Sequence, residues 1–209
     1  IVGYTGSGKT TLALLLSRMW DVQKGEIRLD GIPIKDVPLA KLREAIRPVM
    51  QEVFLFSGSI SENIALGLDL GENEIEQALE TVSAKDFVKQ LPKQENTILG
   101  EGALTLSSGQ RQLLSFARVV AHNPAIVVLD EATSSIDTET EQLVQKGLEG
   151  LLKGRTSIAI AHRLSTIKKA DKIIVLSKGR LVEEGSHDEL IKKRGLYYAL
   201  YLLQYEEER

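Results

Sequence analysis

The feature that most constrains this chain lies at its beginning. Gly3-Tyr4-Thr5-Gly6-Ser7-Gly8-Lys9-Thr10 fits the pattern G-x-x-x-x-G-K-[ST], preceded by the apolar pair Ile1-Val2 and followed by a Leu-rich run. A strand, a glycine loop and a helix in that order allow few folds. Gly3, Gly6 and Gly8 permit backbone angles that turn successive N–H groups inward as an anion nest. The following helix aims its positive end at the same point. Lys9 adds a full charge suited to terminal phosphates, and Thr10 offers a hydroxyl ligand for Mg²⁺. The candidate binding set in this stretch is Gly3, Thr5, Gly6, Ser7, Gly8, Lys9, Thr10 and Thr11.

The rest of the chain alternates strand-like and helical patterns, which predicts an α/β fold with a mostly parallel central sheet and covering helices. Helices are expected over 10–19, 38–45, much of 61–91, 110–121, 138–152 and from 188 onward. In the second helical region Glu74, Ile75, Ala78, Leu79 and Val82 mark one face. Strands are expected over 26–30, 46–49, 126–129, 156–161 and 173–176, with Lys178-Gly179 turning into a hairpin partner over 180–184. With 209 residues, 43% of them hydrophobic, the chain can bury a core. A net charge of −3 argues against a mainly electrostatic nucleic-acid binder. The absence of cysteine excludes disulfides and thiolate metal sites. No apolar run reaches the roughly 18 residues of a membrane span. The start at Ile1, without Met and almost on top of the main motif, reads as a fragment lacking an upstream portion.

Ile126-Val127-Val128-Leu129-Asp130-Glu131 is a second constellation. A buried strand would deliver two carboxylates to the sheet edge where ligands bind in such folds. Asp130 suits Mg²⁺ through water, and Glu131 suits a general base that polarises an attacking water.

Leu106-Ser107-Ser108-Gly109-Gln110 resembles the signature of ATP-binding cassette (ABC) proteins, usually L-S-G-G-Q. Gln51 resembles the Q-loop glutamine, Ser134 to Asp137 the D-loop, and His162 the switch histidine. The resemblance covers essentially the whole chain and implies a P-loop NTPase with a helical subdomain. Its implied division is a RecA-like core over 1–50 and 111–209, with Q-loop, helical subdomain and signature over 51–110. It also implies an ATPase using ATP and Mg²⁺. The catalytic set is then Lys9, Gln51, Glu131 and His162, with Thr10, Gln51 and Asp130 on the metal. Two domains would meet head to tail, each ATP held by one phosphate loop and by the partner's Ser107, Gly109, Gln110 and Asp137.

The segment after Gln51 is similar to that of ABC exporters, and Phe54, Leu55 and Phe56 form an apolar cluster that could dock a membrane helix. Expected partners are therefore a second nucleotide-binding domain and a transmembrane domain, with no nucleic acid. The expected location is the cytoplasmic face of a membrane. Glu101 resembles the exporters' cross-contact loop, although Gly102-Ala103 departs from the usual spacing. Ser108 also departs from the usual glycine, which points to a heterodimeric exporter rather than a homodimer. Alternatives are a soluble cassette ATPase of DNA repair or translation and a non-catalytic nucleotide-binding regulator. The adenine-stacking aromatic has no clear counterpart, and Tyr4 is no obvious substitute. His122, His187, Lys168-Lys169 and the acidic tail read as solvated surface.

Overall fold

The computed structural model describes residues 1–50, 52–100, 106–130, 138–160 and 164–207. The chain forms two compact units, one of residues 1–43, 128–132 and 157–209, the other of residues 44–127 and 133–156.

The first unit opens with Val2, which forms a parallel bridge to Val175 and exchanges hydrogen bonds with Ile174 O and Leu176 N, each 2.9 Å. Helix α1 (Lys9–Leu16) follows the glycine loop. It stops earlier than its Leu-rich pattern suggests. Arg18 takes a left-handed φ of 47°, and the amides of Arg18 and Met19 return to Leu15 O and Leu14 O. This double return bond is the Schellman stop, here with arginine in place of glycine. The guanidinium holds that conformation by donating to Ile34 O and Val37 O. The expected strand over 26–30 shortens to β1 (Arg28–Leu29), joined antiparallel to β2 (Ile32–Pro33). Asp30 and Gly31 both have positive φ, as the tight hairpin turn requires. A 3-10 turn (Ile34–Asp36) leads to α2 (Leu39–Ala45).

Later segments complete this unit. The short α8 (Leu164–Lys168) precedes the hairpin of β8 (Ile173–Ser177) and β9 (Arg180–Gly185), which turns at Lys178-Gly179. Helices α9 (His187–Lys193) and α10 (Leu196–Glu207) then close over Val2, Ile167, Ile173, Val175, Leu190 and Tyr197. Glu183 caps α10, its carboxylate accepting the amides of Leu196 at 2.6 Å and Tyr197 at 3.0 Å. His187 is half-buried rather than solvated as expected, whereas Lys168 is exposed. His187 Nδ1 meets the buried Tyr197 hydroxyl at 2.6 Å, and Lys168 Nζ lies 5.3 Å from the Tyr201 ring centroid.

The second unit carries β3 (Ile46–Val49), the hairpin pair β4 (Gly58–Ser59) and β5 (Ile98–Leu99), and most of the helices. The helical stretch over 61–91 is three helices: α3 (Ile60–Ala65), α4 (Glu72–Thr81) and α5 (Lys85–Lys89). Positive φ at Leu66, Gly67 and Ser83 breaks them. On α4, Ile75, Ala78 and Leu79 are buried, while Glu74 instead accepts the Gly71 amide at 2.8 Å. Helix α6 (Ser108–His122) seats Leu113, Leu114, Phe116 and Ala117 against α3, α4 and α7 (Thr138–Leu152). Helices α6 and α7 both belong to this compact unit. Strands β6 (Ile126–Asp130) and β7 (Thr156–Ile160), whose larger parts belong to the first unit, are neighbours in one sheet.

His122 is half-buried rather than on the open surface. Its Nδ1 lies 2.7 Å from an Arg47 guanidinium nitrogen, and because arginine only donates, Nδ1 must accept. Burial first, then the charges of Arg47 and Arg118, hold its pKa below the ordinary 6.5. The folded protein therefore binds fewer protons here than the unfolded chain, so stability falls as pH drops through 6.5. Thermal midpoints measured from pH 8 to pH 5 should fall more steeply for the parent than for His122→Gln. Parallel profiles would show that this imidazole does not titrate on unfolding.

Candidate functional site

The glycine loop folds as the sequence requires. Gly3, Gly6 and Gly8 have φ of 154°, 77° and 101°. A Cβ on Gly3 would collide with Leu176 O and lie 2.7 Å from Ser7 Oγ, so the first position has no room for a side chain. Gly8 is the N-cap of α1, and the first backbone helical bond runs from Leu12 N to Gly8 O at 3.0 Å. The amides of Lys9, Thr10 and Thr11 thus precede that first bond and face outward from the helix start. Ser7 N returns to Tyr4 O at 3.0 Å, closing the turn. Ser7 Oγ is buried and has no hydrogen-bond partner among the described residues, a polar atom held inside the nest.

Lys9 lies over this ring, donating to Gly3 O at 2.7 Å and Tyr4 O at 3.1 Å, with only 8% of the residue exposed. Burial pulls its pKa below the usual lysine range, and the Asp130 carboxylate in the same unit opposes that pull. Asp130 closes β6, so the strand delivers it to the edge where Lys9 feels its charge. Thr10 and Thr11 are exposed on the first turn of α1, as are Thr5 and Gly6 in the loop. Among the described residues no three His, Cys, Asp or Glu side chains gather as a metal site. The Thr10 hydroxyl and Asp130 carboxylate are hard oxygen donors, which fit Mg²⁺, an ion that keeps water and phosphate as its other ligands.

One support was not anticipated. The turn of the β8–β9 hairpin reaches the loop, with Gly179 N donating to Ser7 O at 3.0 Å. Lys178-Gly179 announces a turn, but nothing local ties it to residues some 170 positions earlier.

The signature region is a self-capped helix start. Helix α6 begins at Ser108, two residues before the expected Gln110, because Ser107 is its N-cap. Ser107 Oγ accepts from Gln110 N at 3.1 Å, and the Gln110 side chain accepts from Ser107 N at 3.0 Å. Ser107 and Ser108 are exposed, whereas Gly109 is buried. Near Gln51, Leu55 is buried, while Phe54 and Phe56 are 66% and 48% exposed with ring centroids 4.8 Å apart. Asn63 fixes this segment through Phe56 N and Phe56 O, and Arg118 bonds to Phe54 O and Asn63 O. Gln51, Glu101, Glu131, Ser134 to Asp137 and His162 lie outside the described residues.

Comparison with known proteins fits this geometry. Residues 1–134 match the family model described as ABC transporter. An uncharacterised ABC transporter ATP-binding protein of Bacillus subtilis, YknV, is 53% identical over 98% of this chain and 34% of its own length. An ATP-dependent lipid A-core flippase of Syntrophus aciditrophicus is 49% identical over 100% of this chain and 35% of its own. A solved structure of a bacterial Atm1-family ABC exporter with ATP bound superposes with a TM-score of 0.88 at 42% identity, over 97% of this chain and 36% of that one. The chain thus spans about a third of the length of these relatives. Its fold is the P-loop NTPase fold, mixed α/β with a helical part, and the chain belongs to the ABC transporter family.

Proposed function

We propose that this chain is the ATP-hydrolysing domain of an exporter, working as one of two such domains that close head to tail on ATP. The observation that carries the reading is the Lys9-covered nest of Gly3 to Thr10, in one unit with Asp130. Loop amides and α1 would hold the phosphates, and Lys9 would move its donors from Gly3 O and Tyr4 O to the terminal phosphate oxygens. Thr10 and Asp130, with Gln51, would hold Mg²⁺, which when bound neutralises charge on the phosphates. Glu131 would take the proton of the attacking water, and His162 would keep that water in line. Ser107, Gly109, Gln110 and Asp137 would serve the partner domain's ATP.

Membrane attachment is supported by the exposed Phe54–Phe56 pair, which suits a helix of a transmembrane domain, and by 49% identity to a probable multidrug resistance ATP-binding/permease protein of Bacillus subtilis. Among the described residues no helix is long and apolar enough to cross a membrane. In this reading residues 1–209 are one ABC ATPase domain on the cytoplasmic face, and Ser108 favours a heterodimeric pair. These features favour the exporter over a soluble cassette ATPase.

The chain has no cysteine, which gives a direct test. Ser108→Cys in this chain, with a cysteine at the position of the partner's phosphate loop that matches Thr5, should cross-link in the intact protein when MgATP is added. A protein that turns over ATP yet gives no nucleotide-dependent cross-link would refute the head-to-tail arrangement.

A further inference from the structure

The two positions after Ser107 make different demands. Ser108 is exposed, whereas Gly109 is buried. Its backbone is ordinary helix and does not need glycine for its angles. Space is what excludes a side chain there. A Cβ on Gly109 would run into Thr140 Cγ2 and come within 3.3 Å of Val144 Cγ2. Both of these lie on α7, so the room a side chain would need is already taken by protein. Helices α6 and α7 belong to one compact unit, while the phosphate loop and Asp130 belong to the other.

We propose that Thr140 is a positioning residue for the ATPase reaction. Its methyl group, seated on the bare Cα of Gly109, fixes the start of α6, so the face offered to the partner's ATP is carried by the helix that follows Asp137. Interiors packed at this density transmit a displacement rather than absorb it, so Ser107 and α7 shift together. The inference rests on the reading that the start of α6 meets a second domain's nucleotide.

The test is a double-mutant cycle in the intact protein, read by the MgATP-dependent cross-link and by kcat and KM for ATP. Gly109→Ala should weaken nucleotide-driven association about tenfold or more, by overpacking against α7. Adding Thr140→Ser removes the obstructing methyl and keeps the hydroxyl, and should bring association back to within about threefold of the parent. If the added methyl at position 109 does its harm by meeting the nucleotide, the second substitution restores nothing, and the proposal falls. Should Gly109→Ala fail to fold, Thr140→Ser alone decides. It should lower association about threefold with unchanged ATP binding to the loop and only a small drop in thermal midpoint, and unaltered association would overturn the proposal. A parent protein that binds ATP but never associates would instead overturn the reading of the site itself, before any substitution is made.

Discussion

Replacing Lys9 by alanine is expected to lower ATP turnover of the intact protein by about 100-fold or more, because it removes preorganised charge from the transferring phosphoryl group. Lys9 is the only charged side chain between Gly3 and Thr10. Its ammonium already sits on the ring formed by Gly3 O and Tyr4 O, so little reorganisation separates that position from a bound phosphate. Burial lowers its pKa, which marks a charge stripped of part of its water and so more effective on an anion. The alanine variant should still fold. The two carbonyls lose a donor, but Gly3 and Tyr4 stay tied by the strand and by the Ser7 turn. A thermal midpoint near the parent value with turnover abolished is the expected pair of results. Lys9→Arg should fail as well, because a planar guanidinium cannot occupy the position of a compact ammonium. Turnover in the alanine variant within tenfold of the parent would mean that the nest alone holds the phosphates.

What the sequence revealed and what it hid divide along physical lines. The phosphate loop was legible because all its parts are local. Three glycines, a lysine and a threonine within eight residues leave the backbone one arrangement, and φ of 77° and 101° at Gly6 and Gly8 follow from it. Helix α7 and strand β6 were legible through their periodicity and apolar runs. Helix ends were less so: α1 stops on Arg18, a left-handed arginine whose conformation depends on carbonyls at Ile34 and Val37. His122 looked like a surface residue because its partner Arg47 is 75 positions away. The same distance hid the support of Ser7 by Gly179. The start of α6 is a different case. Ser107-x-x-Gln110 is a capping box that local pattern does announce, and it places the helix start at Ser108.

Glu131→Gln should reduce turnover by about 100-fold or more while leaving ATP-driven association intact, since the amide keeps the shape of the carboxylate but cannot accept a proton. Its neighbour Asp130 ends β6, and in the proposed mechanism the next residue in the chain is the base. How complete the loss is bears on Ser108. That residue is exposed at the first position of α6, the helix start that the proposed arrangement sets against the partner's nucleotide. In a heterodimer, the site built on this chain's phosphate loop receives a standard signature from the partner, and the site facing Ser108 is the weak one. Glu131→Gln then removes nearly all turnover although only one chain is altered. Substantial remaining turnover would place the active site on the partner's loop, and equal activity in an assembly of identical chains would show that the serine is tolerated at both sites. The same measurement on Ser108→Gly separates these cases further: restored activity at a second site appears only where Ser108 was the cause of its weakness.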